Sequence, residues 1–471
     1  MVLGVCCVSV LLVGIDMTAV NVALPSVGHD FHTSASSLTW IIDAYTLALA
    51  TLLMLSSSMA DRAGRKLVFR IGLSTFVLGS ALCAVAPDLG FLVGARVIQG
   101  VGGSMLNPVA MAIIANVFSD RAERARAIGV WAGVTGLSLA IGPIVGGALV
   151  GSSLGWRWIF VINVPIGLAA IVVATKVIPE SKAARPRKVD VGGQALIALM
   201  LAALVFGVIE GPKLGWGSPA IITTLAVALL ALIGFIAYES RATEPLLDLR
   251  FFRSIPFSAA NLIAVFSFAS LGSFLYVNSI YLQDARGYGP LKTGLLMVPL
   301  AIVSVLWGPR NGKILGRFGA RIPFVIAGVA VTAASVILAQ VTLTIPIVWL
   351  LIAYALIGLG NSSSSGPITQ LAVAGMPPEQ AGVAAGVSAT TRQIGQTIGV
   401  AIAGVTLASV TAGSRAQLAT ATHTGWILMG AYGLAVLALG LVGTTGHAKR
   451  TAERALPTAT SSPTPGSPSQ E

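Results

Sequence analysis

The sequence predicts an all-α polytopic membrane protein with two six-helix bundles and two extra central helices, fourteen transmembrane helices in all. Three observations support this fold class. Of the 471 residues, 55% are hydrophobic and 10% are charged, whereas a soluble domain carries about 25% charged residues. The apolar residues form runs of about 20, the length of a helix that spans a bilayer. A charged segment after the second run recurs in the second half of the chain.

The order of the runs divides the chain into four parts. Residues 1–177 form an N-terminal six-helix bundle, and residues 256–444 form a C-terminal one. Between them, residues 178–255 hold a linker with the two additional transmembrane helices. Residues 445–471 form a tail rich in Ser, Thr and Pro, which cannot bury enough apolar surface to fold, so we expect a disordered cytoplasmic tail. The first run begins almost at Met1, which suggests that the true start lies upstream.

Basic residues predict the orientation of the chain, because cytoplasmic loops carry an excess of Lys and Arg. Of the 29 Lys and Arg residues, Arg96 and Arg392 lie inside spans. Five lie in loops on the side of the membrane opposite to the loop after the second span. We call that opposite side the predicted outer face. Both termini are therefore expected in the cytoplasm of a bacterium, with the protein in its cytoplasmic (inner) membrane. The five residues are Arg157, Lys213, Arg286, Lys292 and Arg415.

Six motifs place charged residues, amides, glycines or prolines in or between the apolar runs. They are Asp16-Met17-Thr18-x-Val20-Asn21-Val22-Ala23-Leu24-Pro25 in the first run, Asp61-Arg62-x-Gly64-Arg65-Lys66 after the second, Arg96-x-x-Gln99-Gly100-x-Gly102 in the fourth, Gly142-Pro143-x-x-Gly146-Gly147 in the fifth, Trp156-Arg157-Trp158-Ile159-Phe160 with Asn163-x-Pro165-x-Gly167 at the sixth, and Arg392-Gln393-x-Gly395 in the thirteenth.

Together these motifs resemble the major facilitator superfamily, and in particular its fourteen-span drug:proton antiporter branch of the multidrug resistance and antibiotic efflux type. The resemblance extends from about residue 14 to about residue 444. It implies two bundles of the major facilitator type, with a substrate site between related halves. The second copy of the signature loop has Gly316 where the first has Asp61, which argues against a switch that needs an acid in both halves.

Three charged residues inside the spans are candidates for proton coupling: Asp16, Asp43 and Arg96. An intramembrane charge costs on the order of 3 kcal/mol on insertion scales and is functional by default. At a rise of about 1.5 Å per residue, Asp43 and Arg96 lie at a similar depth, so we expect them to pair. Asp16 lies deeper, with no basic residue at its level in its own half, and is the better candidate to carry the proton. The alternatives are a permanently hydrogen-bonded Asp16 and an interfacial Asp43 wetted from outside.

Aromatic and amide side chains are candidates to line a substrate cavity, because aromatic faces attract lipophilic cations and amides avoid lipid. Taken singly, most aromatic residues in spans instead face lipid or pack in the core, so the amides are the stronger candidates. The predicted cavity residues, which include the arginine of the thirteenth run, are Asn21, Trp40, Tyr45, Gln99, Trp131, Phe274, Asn278, Arg392 and Gln393.

The resemblance implies a conformational latch in the signature loop. Asp61 is expected to accept charge-assisted hydrogen bonds from helix ends or from an arginine of the other half. The alternative is that the basic residues of the loop only fix the topology. The predicted latch residues are Asp61, Arg62, Gly64, Arg65 and Lys66.

The resemblance also implies that the fifth helix is the antiporter helix, which packs against the opposite half. Its motif residues are Gly142, Pro143, Gly146 and Gly147. Pro143 removes a backbone donor and permits a kink. Ordinary small-residue packing between neighbouring helices is the alternative.

The leading functional hypothesis is proton-driven efflux of lipophilic, often cationic drugs or antibiotics by alternating access. An enzyme is not expected, because no nucleophile with a base, no metal site and no ATP-binding loop stands out; no cofactor is expected beyond the proton gradient. One alternative is a dedicated exporter of one endogenous antibiotic or metabolite, and 21 Arg against 8 Lys suits a GC-rich producing bacterium. Another is a receptor without transport.

The expected partners are a small-molecule substrate and the lipid bilayer, with the protein acting as a monomer. Nucleic acid is excluded, since the basic residues form no continuous patch.

Overall fold

The computed structural model is helical throughout the part of the chain that it describes. Long apolar runs become helices because a backbone in lipid must satisfy its own hydrogen bonds. Polar caps begin several of them, for example Asp88, whose Oδ1 accepts from the backbone N–H of Phe91 at 2.8 Å. The described residues are 1–118, 120–182, 190–242, 249–374, 378–408 and 414–455.

The first bundle contains seven helices, of which α6 and α7 together make one span. Within it α1 packs on α5, α4 packs on α2 and α3, and α3 also packs on α7. The helices are α1 (Val2–Asp30), α2 (Ala35–Ala63), α3 (Arg65–Ala84), α4 (Leu89–Val117), α5 (Arg121–Val150), α6 (Trp158–Val161) and α7 (Asn163–Val177).

Two helices follow between the bundles, α8 (Val191–Leu214) and α9 (Pro219–Glu239). They pack on each other, and α8 also contacts the first bundle through α2. Gln194 of α8 donates to the backbone carbonyl of Thr51, and Trp40 donates to Glu210 Oε1 at 2.8 Å. The inserted pair is therefore attached to α2 near both ends of α8.

The second bundle repeats the arrangement of the first. In it α10 packs on α15, α16 and α14, and α13 packs on α16 and α14. A π-helical turn, Tyr281–Ala285, extends α10. The helices are α10 (Ile255–Ile280), α11 (Pro290–Leu296), α12 (Val298–Phe318), α13 (Arg321–Leu338), α14 (Ile347–Val373), α15 (Pro378–Ala408) and α16 (Arg415–Gly443).

Twelve helices among the described residues are long and apolar enough to cross a membrane. The predicted number of fourteen spans is not confirmed by this count. Two long helices lie outside it, α5 with 30 residues and α15 with 31. An all-helical, multi-pass membrane protein is confirmed at the coarser level.

The internal repeat has a structural counterpart at two glycines. Gly64 joins α2 to α3 with a φ of 120°, and Gly319 joins α12 to α13 with a φ of 73°. Both values are in the region that favours glycine over residues with a Cβ. The two copies of the signature loop therefore make the same kind of sharp helix-to-helix connection.

The tail contradicts the prediction of disorder over its first part. Residues 446–455 form helix α17 (Gly446–Ala455), and the remaining residues, 456–471, lie outside the described residues. Ala448 and Ala452 are buried, and Thr451 Oγ1 accepts from the backbone N–H of Ile255 at 3.0 Å. Composition missed this helix because a few buried alanines and one tertiary hydrogen bond suffice to dock it.

The two bundles meet near the predicted outer face. There α2 contacts α15, and α5 contacts α11 and α12. One apolar core draws on both bundles at this end, from Leu24 and Ile41 to Leu275 and Met429. Closer to the opposite end, the described core residues separate into one cluster for each bundle. The structure is thus closed at the predicted outer face.

Candidate functional site

A buried charged centre joins four helices of the first bundle. Arg96 Nη1 donates to Asp16 Oδ2 at 2.5 Å and to Gln99 Oε1 at 2.6 Å. Asp16 Oδ1 accepts from Gln99 Nε2 at 2.9 Å and from Asn163 Nδ2 at 3.3 Å. The Gln99 amide also donates to Ser80 at 2.8 Å. Helices α1, α3, α4 and α7 each contribute at least one polar side chain.

The centre is buried, and it contains one acid and one base. Asp16 and Arg96 are each 1% exposed, and Gln99 is fully buried. Arg96 Nε donates to the carbonyl of Ile41 at 2.9 Å, and the guanidinium carbon lies 4.1 Å from the ring centre of Tyr45. Breaking such a buried pair by removing one partner costs about 3–5 kcal/mol, because the other charge stays behind.

The prediction that Arg96 pairs with Asp43 is therefore wrong, and so is the prediction that Asp16 lacks a basic partner. Depth along an ideal helix was a poor guide for two physical reasons. Transmembrane helices tilt by about 20° on average, and a guanidinium sits at the end of a long side chain. Helix tilt and the length of the arginine side chain together let Arg96 contact Asp16 although the two residues start at different depths.

Asp43 has the opposite environment. It is 0% exposed, and neither carboxyl oxygen has a hydrogen-bond partner among the described residues. It lies between two contacts of α2 with α15. Thr46 is within 2.7 Å of Thr397, and a Cβ on Gly404 would come within 2.4 Å of Thr39. The alternative of an interfacial Asp43 wetted from outside does not fit this closed arrangement.

The predicted cavity residues separate into several environments. Tyr45 and Gln99 belong to the charged centre, and Trp40 packs on Phe206 of α8, with ring centres 6.1 Å apart. Phe274 is fully buried between Tyr354 and Trp426, at 5.3 and 6.2 Å. In this closed arrangement Trp40 and Phe274 pack against other helices, and their cavity role stays a prediction.

Of the remaining amides, Asn21 lies at the contact between the bundles, whereas Asn278 bonds within the second bundle. Asn21 is 2% exposed, and its backbone carbonyl accepts from Ser279 of α10. Asn278 accepts from the Tyr354 hydroxyl. Asn21 Oδ1 and Gln393 Oε1 have no hydrogen-bond partner among the described residues. Trp131 is half-buried, and its indole nitrogen is likewise without a described partner.

Arg392 lies in the middle of α15, and its hydrogen bonds among the described residues go to neutral groups of α14. One guanidinium nitrogen donates to the carbonyl of Ser365 at 3.3 Å and to the hydroxyl of Thr369. Its Nε has no partner among the described residues. The ring of Phe268 lies 5.8 Å from the guanidinium carbon. Arg392 thus lacks the counter-charge that Arg96 has.

The glycines of α5 serve two different contacts. A Cβ on Gly142 would meet Thr18 Oγ1 at 1.8 Å, and one on Gly146 would meet Ala19 at 2.8 Å, so this face packs on α1. A Cβ on Gly147 would meet the Pro290 carbonyl at 2.5 Å, so the other face packs on α11 of the opposite bundle. Pro143 belongs to this second face, since a Cβ on Gly294 would meet its carbonyl at 2.1 Å.

The signature loop is held by its own bundle. Asp61 Oδ1 pairs with Arg65 Nη2 at 3.1 Å, so its described ion-pair partner lies one turn away and is not an arginine of the opposite half, which was one of the two partners expected. The linker supplies the other contacts. The Lys66 backbone donates to Glu180 Oε1 at 3.1 Å, and the Arg65 backbone donates to the carbonyl of Ser181 at 2.9 Å.

Sequence reasoning missed four contributors: Ser80 and Asn163 in the charged centre, Glu180 at the loop and Glu210 beside Trp40. The sequence could have identified Asn163, because it is an amide inside an apolar run and belongs to the motif Asn163-x-Pro165-x-Gly167. Ser80 had no such signal, since serine is common in membrane helices. Among the described residues, no three His, Cys, Asp or Glu side chains cluster closely enough to hold a metal ion.

Comparisons with known proteins give a consistent result. A model of the Major Facilitator Superfamily matches residues 6–400. The chain is 36% identical over 409 residues to the tetracenomycin C resistance and export protein of Streptomyces glaucescens, covering 85% of this chain and 74% of that protein. It is 34% identical over 398 residues to the multidrug resistance protein Stp of Mycobacterium tuberculosis, covering 84% and 74%. A solved mutant of the peptide transporter POT, in complex with sulfate, has a similar fold, with a TM-score of 0.69, 14% identity and 95% of each chain covered.

Proposed function

This chain belongs to the Major Facilitator Superfamily, and from that membership we propose that it is a proton-driven exporter of lipophilic small molecules. It works by alternating access across a bacterial cytoplasmic membrane, with both termini in the cytoplasm. We count α5 and α15 as spans, which gives fourteen. The relatives named above are described as an antibiotic export protein and a multidrug resistance protein, which supports efflux as the direction of transport.

Proton coupling is supported above all by the environment of Asp43, which is buried and has no hydrogen-bond partner among the described residues. An ionised carboxylate without hydrogen bonds or water is too costly to bury, so the group holds a proton instead. In the closed arrangement Asp43 is buried without a hydrogen-bond partner among the described residues, whereas Asp16 is paired with Arg96. Two acids in one bundle whose surroundings favour opposite protonation states are the arrangement expected of a proton-transfer site.

The position of Asp43 supports a link between its proton and the movement of the bundles. Thr39 and Thr46, on the same face of α2, both touch α15. Separation of α2 from α15 would let water reach Asp43 from the predicted outer face. Closure would dry it again, so that only the protonated form is readily accommodated. We therefore propose that Asp43 takes up its proton from outside.

Asp16 and Arg96 have a second role in this proposal. Arg96 connects α1 through Asp16 with α2 through the Ile41 carbonyl, two residues from Asp43. A proton on Asp16 would remove the counter-charge and free Arg96 to rearrange against α2. Proton transfer to Asp16 would thereby loosen the contact between α1, α2 and α4. The exporter would then return to the conformation that is open at the predicted outer face.

The breadth of the cargo separates two candidate functions. Multidrug efflux is the first. A dedicated exporter of one endogenous antibiotic is the second, and the 36% identity to a protein described as a resistance and export protein for one compound favours keeping it. A drug-susceptibility panel in a pump-deficient host distinguishes them, because a dedicated exporter protects against one compound class.

Everted membrane vesicles test the proposal. Vesicles with the wild-type protein are energised, and uptake of ethidium and of rhodamine B is followed by fluorescence with and without an uncoupler. We expect uncoupler-sensitive uptake of at least one dye, and its loss in Asp43→Asn. Asp88→Asn is the matched control, because Asp88 is exposed and Asn caps a helix as well as Asp. Wild-type uptake by Asp43→Asn would contradict the proposed proton site.

A further inference from the structure

The second bundle contains a half-buried cation, Arg392, that has no ion-pair partner among the described residues. Between residues 256 and 444 the sequence has only two acids, Asp284 and Glu379. Asp284 lies at the outer end of α10, 3.6 Å from His29. Glu379 stands on the same helix as Arg392 but 13 positions earlier in the chain, which is about 20 Å along the helix axis. Among the described residues of the whole chain, no acid forms an ion pair with Arg392.

The neutral contacts of Arg392 leave part of its donor capacity unused. A guanidinium has five N–H donors in a planar fork and cannot lose its charge. Arg392 uses one nitrogen on the Ser365 carbonyl and the Thr369 hydroxyl, and its buried Nε has no partner among the described residues. By contrast, the Arg96 fork bonds a carboxylate, an amide oxygen and a backbone carbonyl. Arg392 is therefore a positively charged site without its anion.

The surroundings of Arg392 indicate a cavity rather than lipid. Ser365 and Thr369 are one turn apart on α14, and both are half-buried, as is Arg392. Asn361 continues the same polar stripe one turn before Ser365. Polar and charged side chains at this depth face the bundle interior or a water-filled cavity. Phe268 adds an aromatic face 5.8 Å from the guanidinium carbon, which suits an apolar ring attached to the bound group.

We propose that Arg392, with Ser365 and Thr369, binds an acidic oxygen of the cargo: a carboxylate or an ionised phenol or enol on an aromatic body. This inference rests on the proposed export function and names its substrate class. Arginine pairs with such groups through two parallel hydrogen bonds, which gives direction as well as affinity. The cargo supplies the counter-charge that this bundle lacks, so a lipophilic cation without an acidic oxygen binds less well.

A matched pair of dyes tests this inference without any proton gradient. Rhodamine B carries a free carboxylate, and its ethyl ester has the same aromatic cation with the acid blocked. Their binding to the full-length protein in phosphatidylcholine nanodiscs is measured at pH 7.5 by fluorescence polarisation. We expect the wild type to bind rhodamine B about tenfold more tightly than the ester, the preference that one hydrogen-bonded charge pair supplies.

Three variants assign the preference to Arg392. In Arg392→Gln the preference disappears through weaker rhodamine B binding, while binding of the ester is unchanged. Arg392→Lys keeps the charge and retains part of the preference, which also guards against misfolding of the Gln variant. Arg310→Gln removes an exposed arginine of the same bundle, at the end of the molecule opposite to the predicted outer face, and leaves the preference intact. A purely structural role for Arg392 would weaken binding of both dyes equally.

The outcomes separate this inference from the proposed function. No wild-type preference for rhodamine B, including no measurable binding of it, overturns the acidic-cargo site, and so does a preference that survives Arg392→Gln. Loss of uncoupler-sensitive transport in vesicles leaves the binding result untouched and overturns only proton-driven export. If Arg310→Gln loses the preference for rhodamine B as fully as Arg392→Gln does, the preference comes from the overall positive charge of the protein. That result would contradict a binding site at Arg392.

Discussion

Two acids of the first bundle, Asp16 and Asp43, are almost equally buried but have opposite environments. Asp16 accepts hydrogen bonds from Arg96, Gln99 and Asn163. Neither oxygen of Asp43 has a partner among the described residues. The lesson is that burial alone does not identify a proton carrier. What matters is whether the surroundings compensate the charge, and on that criterion the two residues exchange the roles that depth had suggested.

The location of the two acids differs in the same way. Asp16 lies inside one bundle, where it accepts hydrogen bonds from helices α4 and α7. Asp43 lies where α2 meets α15 of the other bundle, between the contacts made by Thr39 and Thr46. In the proposed alternating access, movement of one bundle against the other would change the water around Asp43 first, and it would reach Asp16 through Arg96.

The largest expected effect is the loss of the counter-charge in Asp16→Asn. Arg96 would stay buried without a carboxylate, and we expect the free energy of unfolding to fall by about 3–5 kcal/mol. Denaturant titration in detergent micelles measures this loss. A change below about 1 kcal/mol, the typical value for a single substitution, would mean that the pair is not the closed centre described here.

The next effect is the recovery of stability when both charges are removed. In the double variant Asp16→Asn with Arg96→Gln, no uncompensated charge remains. We expect the double variant to be about 1–3 kcal/mol more stable than the sum of the single variants predicts, the range for residues in direct contact. Additive losses in the same titrations would show that Asp16 and Arg96 are not coupled.

A change of access should distinguish the two acids directly. Gly294→Val places a side chain against Pro143 and should open the contact at the predicted outer face, whereas Gly289→Val has open space. A cysteine introduced at Thr39 then becomes reactive to a membrane-impermeant thiol reagent added outside. Cys83, which lies 3.8 Å from Gln99 in the charged centre, stays unreactive. Mass spectrometry reads both sites in one sample, and equal labelling would remove the distinction.

The smallest expected effect on stability belongs to Asp43→Asn. If Asp43 is protonated as proposed, a neutral amide replaces a neutral acid of the same shape, so we expect the free energy of unfolding to change by less than about 1 kcal/mol. The same denaturant titration applies, with Asp88→Asn as the matched control. A loss as large as that of Asp16→Asn would mean that Asp43 is ionised and paired, against the present account.

The sequence was sufficient for the fold class and the family. Apolar runs, the repeat and the motifs predicted an all-helical major facilitator protein, and that prediction is confirmed. The two positive-φ glycines, Gly64 and Gly319, lie at equivalent positions of the predicted repeat. These features are local in the chain, so periodicity and spacing reveal them.

The site could be predicted only in part, for a physical reason. Asp16, Asp43, Arg96 and Gln99 were identified as special because charges and amides are rare in spans. Which of them bond each other depends on helix tilt, rotation and side-chain reach, none of which spacing determines. The same limitation explains why Trp40 was assigned to a cavity, although it packs on an inserted helix whose docking position the sequence does not reveal.

The most direct test of the central claim is proton movement driven by the cargo. Purified protein is reconstituted in liposomes with pyranine inside, and the internal pH is followed after addition of whichever of ethidium and rhodamine B the wild-type vesicles export. If Asp43 carries the proton, we expect a pH change for the wild type and for Asp88→Asn. We expect none for Asp43→Asn, although that variant is folded and binds the dye. A wild-type pH change in Asp43→Asn would contradict that role of Asp43.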